Sequence, residues 1–197
     1  MKKSHRVAEK SRKTRETEIR LKLNLDGEGK YAVTTGVPFF DHMLEQLSRH
    51  SGIDLEIEAR GDIEIDAHHT VEDVGIVLGQ AFSQALGEMR GIQRYGYASV
   101  PMEEALAHSA VDLCGRSNLI YHVKTATSTV GNFDTELAEE FFRAFVSNAK
   151  ITLHVNLAYG NNQHHILEAV FKSVARSLRM AVALTGGGDV PSTKGVL

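Results

Sequence analysis

His68-His69-Thr70-Val71-Glu72 occurs twice in this chain, the second time as His164-His165-Ile166-Leu167-Glu168. Each copy reads His-His-x-x-Glu and carries an apolar pattern of helical period: Val71, Val74, Leu78, Ala81, Phe82 and Leu86 in the first, Ile166, Leu167, Val170, Phe171, Val174 and Leu178 in the second. Residues four apart share a helix face. The first His and the Glu of each copy therefore stand together, while the second His points partly away. One motif can aim ligands at two centres. Imidazole nitrogen with a carboxylate suits Mn, Fe, Co, Ni or Zn better than Ca or Mg. A single copy would read as a polar helix start; two copies in matching contexts point to metal.

The repeat extends outward from the motif. Met43, Leu44 and Leu47 recur as Phe141, Phe142 and Phe145, each 98 positions on. The strand pattern Ile53, Leu55, Ile57 recurs as Ile151, Leu153, Val155 in the same register. His42 and Glu140 take equivalent places at the start of the earlier helix.

Alternation and turn residues supply the other elements. Glu18–Leu25 alternates as a strand, Asp26-Gly27-Glu28-Gly29 is a hairpin turn, and 30–35 is expected to return as its partner. Gly36-Val37-Pro38 breaks the pattern before a helix holding Phe39, Phe40 and His42. Strands are expected at 53–59 and 63–66, and a helix from His68 to about Met89. The second half reads as strands at 98–102 and 107–113, with a bend at Glu103-Glu104. A turn at Cys114-Gly115-Arg116-Ser117, a returning strand at 119–123 and a helix at 139–148 follow. A strand at 151–157 and a helix from His164 to about Leu184 complete it. Four strands and two helices per half imply an α+β fold of two similar halves, each a four-stranded sheet backed by two helices. The halves are residues 1–92 and 93–197, together one compact unit. Small residues such as Gly79, Ala81, Ser83 and Ala85 allow their helices to pack closely.

A net charge of -3 argues against a nucleic-acid partner. The basic stretch at residues 1–16 carries no interleaved aromatics and reads as a solvated tail leading into an edge strand. The single Cys114 excludes an internal disulfide and suits a reducing compartment. No apolar run is long enough for a membrane span, and the N-terminus lacks a signal-peptide core. The expected location is cytoplasmic.

Four stretches carry a resemblance: Gly36-Val37-Pro38-Phe39-Phe40-Asp41-His42, Asp66–Asp73, His164–Ala169 and the ending Pro191-Ser192-Thr193-Lys194-Gly195-Val196-Leu197. In this order, and over nearly the whole chain, the sequence resembles the imidazoleglycerol-phosphate dehydratase family of histidine biosynthesis. The resemblance implies two Mn2+ per active site and a 24-mer of octahedral symmetry with sites between subunits. The implied metal ligands are His42, His68, His69, Glu72, Glu140, His164, His165 and Glu168. Many relatives have His at the position of Glu140, so His154 competes with it for that role. Arg94, Arg116, Ser192, Thr193 and Lys194 match substrate-holding positions, chiefly for its phosphate, a task suited to Arg forks and a Lys charge. Glu16 matches an acidic substrate contact. His42, His50, His68, Glu72, His164 and Lys172 are carried over as further contacts.

The implied reaction converts D-erythro-imidazoleglycerol phosphate to imidazole-acetol phosphate. The C–H that must be broken is not acidic, so direct abstraction is implausible. Metals on both ring nitrogens would stabilise imidazolate, which expels the neighbouring hydroxyl to a diazafulvene. That species acidifies the next C–H. Glu16 or Glu168 is then the general acid/base. The competing class is a dinuclear phosphoester hydrolase, which would use the same ligands to activate water. A metal-storage shell is opposed by the alternating strands, since such proteins are helical bundles.

Overall fold

A computed structural model of the chain describes residues 6–125 and 128–197; Lys2 and Lys3 of the basic stretch lie outside them. The remainder of that stretch is not a tail. Its residues form strand β1 (Val7–Lys13), antiparallel to β2 (Thr17–Asn24) in a register from Val7↔Asn24 to Lys13↔Glu18. β1 is a sheet edge and buries only Ala8. Its side chains therefore carry no apolar alternation, and backbone pairing defines the strand.

The expected hairpin between β2 and residues 30–35 does not form. β3 (Tyr31–Thr34) runs parallel to β4 (Asp54–Gly61), with Tyr31 opposite Leu55. β2 already has β1 on one side and β4 on the other, so no edge is left for β3. Asp54 directs the chain across: its Oδ1 accepts the backbone N–H groups of Glu28 (2.8 Å) and Lys30 (2.9 Å). The strand expected at Ile63–Asp66 is also absent. Both edges of β4 are taken, so this segment is a turn, with Ile63 46% and Ile65 69% exposed. The first half still has four strands, because β1 replaces the one lost.

The second half repeats the plan. β5 (Tyr95–Met102) and β6 (Ala105–Asp112) form a hairpin whose turn is the bend at Glu103-Glu104. β7 (Asn118–His122) lies parallel to β10 (Thr152–Tyr159) rather than returning along β6. A short ribbon of β8 (Thr129–Val130) and β9 (Phe133–Asp134) is added. Sheet orders β1-β2-β4-β3 and β5-β6-β10-β7 correspond strand for strand.

The helices are α1 (Pro38–Ser51), α2 (His68–Leu86), α3 (Leu137–Ala149) and α4 (Gln163–Val182). α1 packs on α4 and α2 on α3, so each pair joins opposite halves. Phe141 on α3 meets Phe40 of α1 at 5.3 Å and Phe171 of α4 at 5.6 Å, within one continuous core. α2 approaches α3 through Gly75 and Gly79. A Cβ on Gly79 would lie 2.5 Å from the Phe145 carbonyl oxygen, which belongs to a helix backbone and cannot swing aside. Gly79→Ala gains about 1 kcal/mol of helix propensity but forces overpacking worth roughly 1–3 kcal/mol. Chemical denaturation is expected to show net destabilisation; a more stable variant would mean the helices can separate freely.

Candidate metal centre

Each His-His-x-x-Glu motif has a side-chain acceptor two residues before its first His, the N-cap Asn162 in α4 and, one residue outside the N-cap Ala67, Asp66 in α2. Asp66 Oδ1 accepts the His68 N–H at 2.7 Å, and Asn162 Oδ1 accepts the N–H groups of His164 (2.9 Å) and His165 (3.3 Å). These acceptors satisfy orphan donors of the first turn and fix where the motif begins. α1 is positioned differently. Pro38 opens it, and Asp41 Oδ1 accepts from Thr35 N–H (2.8 Å) and Oγ1 (2.6 Å), which sets the entry just before His42.

His42, His164 and Glu168 converge, with one ligating atom from each lying within 4.8 Å of the others. Glu168 Oε2 is 3.1 Å from His164 Nε2 and 3.7 Å from His42 Nε2. Its Oε1 is 2.5 Å from Lys172 Nζ. Glu168 is 6% exposed. Burial alone would push its carboxyl up, but the Lys172 ammonium, with His42 and His164, holds it below the ordinary range. His50 lies in the same electrostatic neighbourhood, its pKa lowered by burial first and then by Lys172 and Arg176. Phe39 meets the His164 ring edge-on at 5.2 Å and is backed by Phe133 at 5.3 Å. A cavity of about 390 Å³ opens beside these rings. Two imidazoles and one carboxylate with converging lone pairs fit a first-row transition metal.

His165 turns away from this group, as the helical spacing predicts, and its Nδ1 is 2.7 Å from Glu104 Oε2. Glu104 also accepts the backbone N–H groups of Asn162 (2.7 Å) and Asn161 (3.2 Å). The Asn162 N–H first, then His165, pull its carboxyl down to about 2. In the first motif, His69 Nδ1 is 3.1 Å from Asp62 Oδ2. That contact foremost, with the Glu16 charge among the lesser causes, raises the His69 pKa. Glu16 is tied to the residue that bears this carboxylate, its carbonyl accepting the Asp62 N–H at 3.1 Å. Its loop is pinned to α2 through buried Asp73, which accepts from Thr17 Oγ1 (2.5 Å) and Arg12 Nε (2.9 Å). Among the described residues, His68, His69, Glu72, Glu140 and His165 do not join the His42 group. Glu140, half-buried on α3, lies 3.6 Å from Arg143. His154 is exposed on the sheet face opposite the buried Leu153 and Val155, away from the helices.

Arg94, Arg116, Ser192, Thr193 and Lys194 line one groove of about 820 Å³. Arg94 is largely engaged: Nε and Nη2 grip Asp112 at 2.8 and 3.3 Å, and Nη1 donates to the Pro191 carbonyl at 2.8 Å. It anchors the C-terminal segment. Arg116 and Lys194 are exposed and, among the described residues, free of ion pairs. This groove is far from His42. The Arg94 N–H binds the Ala181 carbonyl near the end of α4, whereas His164 opens that helix. At 1.5 Å per residue the two ends lie roughly 25 Å apart.

Sequence reasoning missed Asp62, Glu104 and Asp73 as groups that hold the candidate ligands and Glu16 in place. Asp62 and Glu104 sit in turns, where carboxylates are common, and only the fold reveals what they face.

A model of the imidazoleglycerol-phosphate dehydratase family matches residues 35–178. The chain is 58% identical over 194 residues to an imidazoleglycerol-phosphate dehydratase of Magnetococcus marinus, covering 98% of each chain. It is 54% identical to one of Pelotomaculum thermopropionicum, covering 98% of this chain and all of the other. Among solved structures, the Staphylococcus aureus enzyme superposes with a TM-score of 0.83 at 40% identity, over 91% of this chain and 99% of that one. The Pyrococcus furiosus enzyme, solved with (S)-C348, gives 0.83 at 34% identity, over 95% and 100%.

Proposed function

This chain belongs to the imidazoleglycerol-phosphate dehydratase family, and we propose that it carries out that family's elimination at manganese sites completed between copies of itself. Membership makes it a hydro-lyase of histidine biosynthesis. The observation that carries the metal reading is the convergence of His42, His164 and Glu168. These three would hold one Mn2+. The repeat puts Glu140, His68 and Glu72 at the corresponding positions for a second, and His69 and His165 complete the ligand set. Two such ions would supply Lewis acidity toward the nitrogens of an imidazole ring.

Separation supports a site shared between copies. The Arg116 and Lys194 groove lies at the far end of α4 from His164, roughly 25 Å away. Ordinary bond lengths make the substrate only about 10 Å from ring to phosphate. One chain cannot grip both ends, so ring and phosphate are held by different copies. The exposed Ile63 and Ile65, just before the first motif, provide apolar surface for such contact. The 24-mer implied by the family is the assembly that this reading adopts, in the cytoplasm, with no nucleic-acid or membrane partner.

The hydroxyl on the carbon beside the ring and a proton from the next carbon leave in turn, and together they make up the one water eliminated. Both oxygens of Glu168 are engaged, one by Lys172 and one by the two imidazoles. Glu16 is exposed, and its backbone is fixed by Thr14 and by Asp62, whose N–H donates to the Glu16 carbonyl. This favours Glu16 as the group that moves the proton. Arg116, Lys194, Ser192 and Thr193 orient the phosphate, and Arg94 holds the segment that carries three of them.

Removing metal tests the reading. The protein as purified should hold about two transition-metal ions per chain. Chelation should abolish activity and reduce particle mass, because metal binding is also assembly free energy, and Mn2+ should restore both. Full activity at unchanged mass in metal-free protein would contradict it.

A further inference from the structure

The strand correspondence gives Glu104 a partner in the first half. β2 begins at Thr17 and β6 at Ala105, so Glu16 and Glu104 each immediately precede the second strand of their sheet. Glu104 contacts His165 directly, whereas Glu16 is tied through its carbonyl to the N–H of Asp62, the residue that contacts His69. The two acids are thus used differently. Glu104 has both oxygens committed, Oε2 to His165 Nδ1 and Oε1 to the Asn161 and Asn162 amides. In the first half Asp62, from the end of β4, takes the histidine Nδ1 instead, and among the described residues no ion pair engages the exposed Glu16 carboxylate.

We propose that Glu104 and Asp62 are positioning residues that fix His165 and His69 as Nδ1–H tautomers, presenting Nε2 to metal, and that Asp62 thereby releases Glu16 for proton transfer. An ionised carboxylate only accepts hydrogen bonds, so the facing Nδ1 must carry the proton and the lone pair of the neutral ring lies on Nε2. A carboxylate behind a ligating imidazole also raises its basicity and holds its plane. The two carboxylates come from non-equivalent elements, a hairpin turn and a strand end. Duplication alone does not account for both histidines having one. The proposal rests on reading His165 and His69 as metal ligands.

Glu104→Gln separates orientation from mere anchoring. The amides of Asn161 and Asn162 can only donate, so they hold the Gln oxygen where Oε1 now lies. The Gln NH2 then faces His165 Nδ1 and donates to it, which moves the ring proton to Nε2. The loop anchor survives while the ligating nitrogen is blocked. In 15N-histidine-labelled, metal-stripped protein at about pH 8.5, above the ordinary imidazole pKa of about 6.5, solid-state NMR should show one ring exchanging its protonated nitrogen relative to wild type. Metal affinity, read by competition with a chelating dye, should fall about 10- to 100-fold, with the thermal midpoint of the metal-free protein unchanged. Asp62→Asn, whose unanchored amide can turn its oxygen to His69, should lose fewer-fold. An unflipped ring in Glu104→Gln would overturn the tautomer assignment. A flipped ring with wild-type metal affinity, matched by wild-type affinity in His165→Ala, would instead overturn the ligand reading.

Discussion

Glu168→Ala is expected to lower kcat/KM by at least about 10³-fold and to remove metal, while the chain still folds. A bound metal contributes several kcal/mol of charge stabilisation, and about 4 kcal/mol corresponds to that factor. Glu168 is the only member of the converging group that touches both imidazoles, at 3.1 and 3.7 Å. Without it, Lys172 loses its 2.5 Å partner and brings an uncompensated positive charge beside His42 and His164, which opposes a cation further. Elemental analysis with steady-state kinetics checks this; normal metal content and rate would remove Glu168 from the site. Acid titration gives an independent reading. The folded carboxyl titrates below its ordinary value of 4.5, so its contribution to stability is complete above that value. It is lost as pH falls through the lowered one. In metal-free protein, wild type should lose this increment in that acid window, and Glu168→Ala should have none to lose.

Glu16→Gln is expected to lower kcat about 10²- to 10⁴-fold, the usual weight of a positioned acid or base, with little change in KM. Gln keeps the size of the side chain and leaves the backbone bonds to Thr14 and Asp62 intact, but it cannot accept the proton. Arg116→Ala should do the reverse. A cation that grips phosphate equally in substrate and transition state provides uniform binding, and its loss appears in KM. Kinetics on the two variants decide the division of labour. Near-wild-type kcat in Glu16→Gln would return the proton to Glu168 or to a metal-bound hydroxide.

The duplicated motif and the separation of 98 positions made α1, β4, α3 and β10 legible, because buried helix and strand faces impose their own periods. The pairing of His164 with Glu168, and the turning away of His165, followed from 3.6 residues per turn. β1 was illegible because an edge strand that buries one alanine has no pattern to show. Ile63 and Ile65 misled for the opposite reason: they alternate, but the neighbouring strand edges are occupied and they remain exposed. The partner of β3 depended on which edge was free, a property of the assembled sheet. Asp62 and Glu104 looked like ordinary turn acids until the fold placed them against imidazole nitrogens. Arg94 was legible as a cation of its groove, but not as one whose fork is already closed on Asp112.

The most direct test of the whole account follows the products made from D-erythro-imidazoleglycerol phosphate by the Mn2+-loaded protein. Elimination predicts imidazole-acetol phosphate in step with substrate consumed, with the phosphate ester intact. Release of inorganic phosphate without the ketone would contradict elimination and identify a metallohydrolase built on the same ligands.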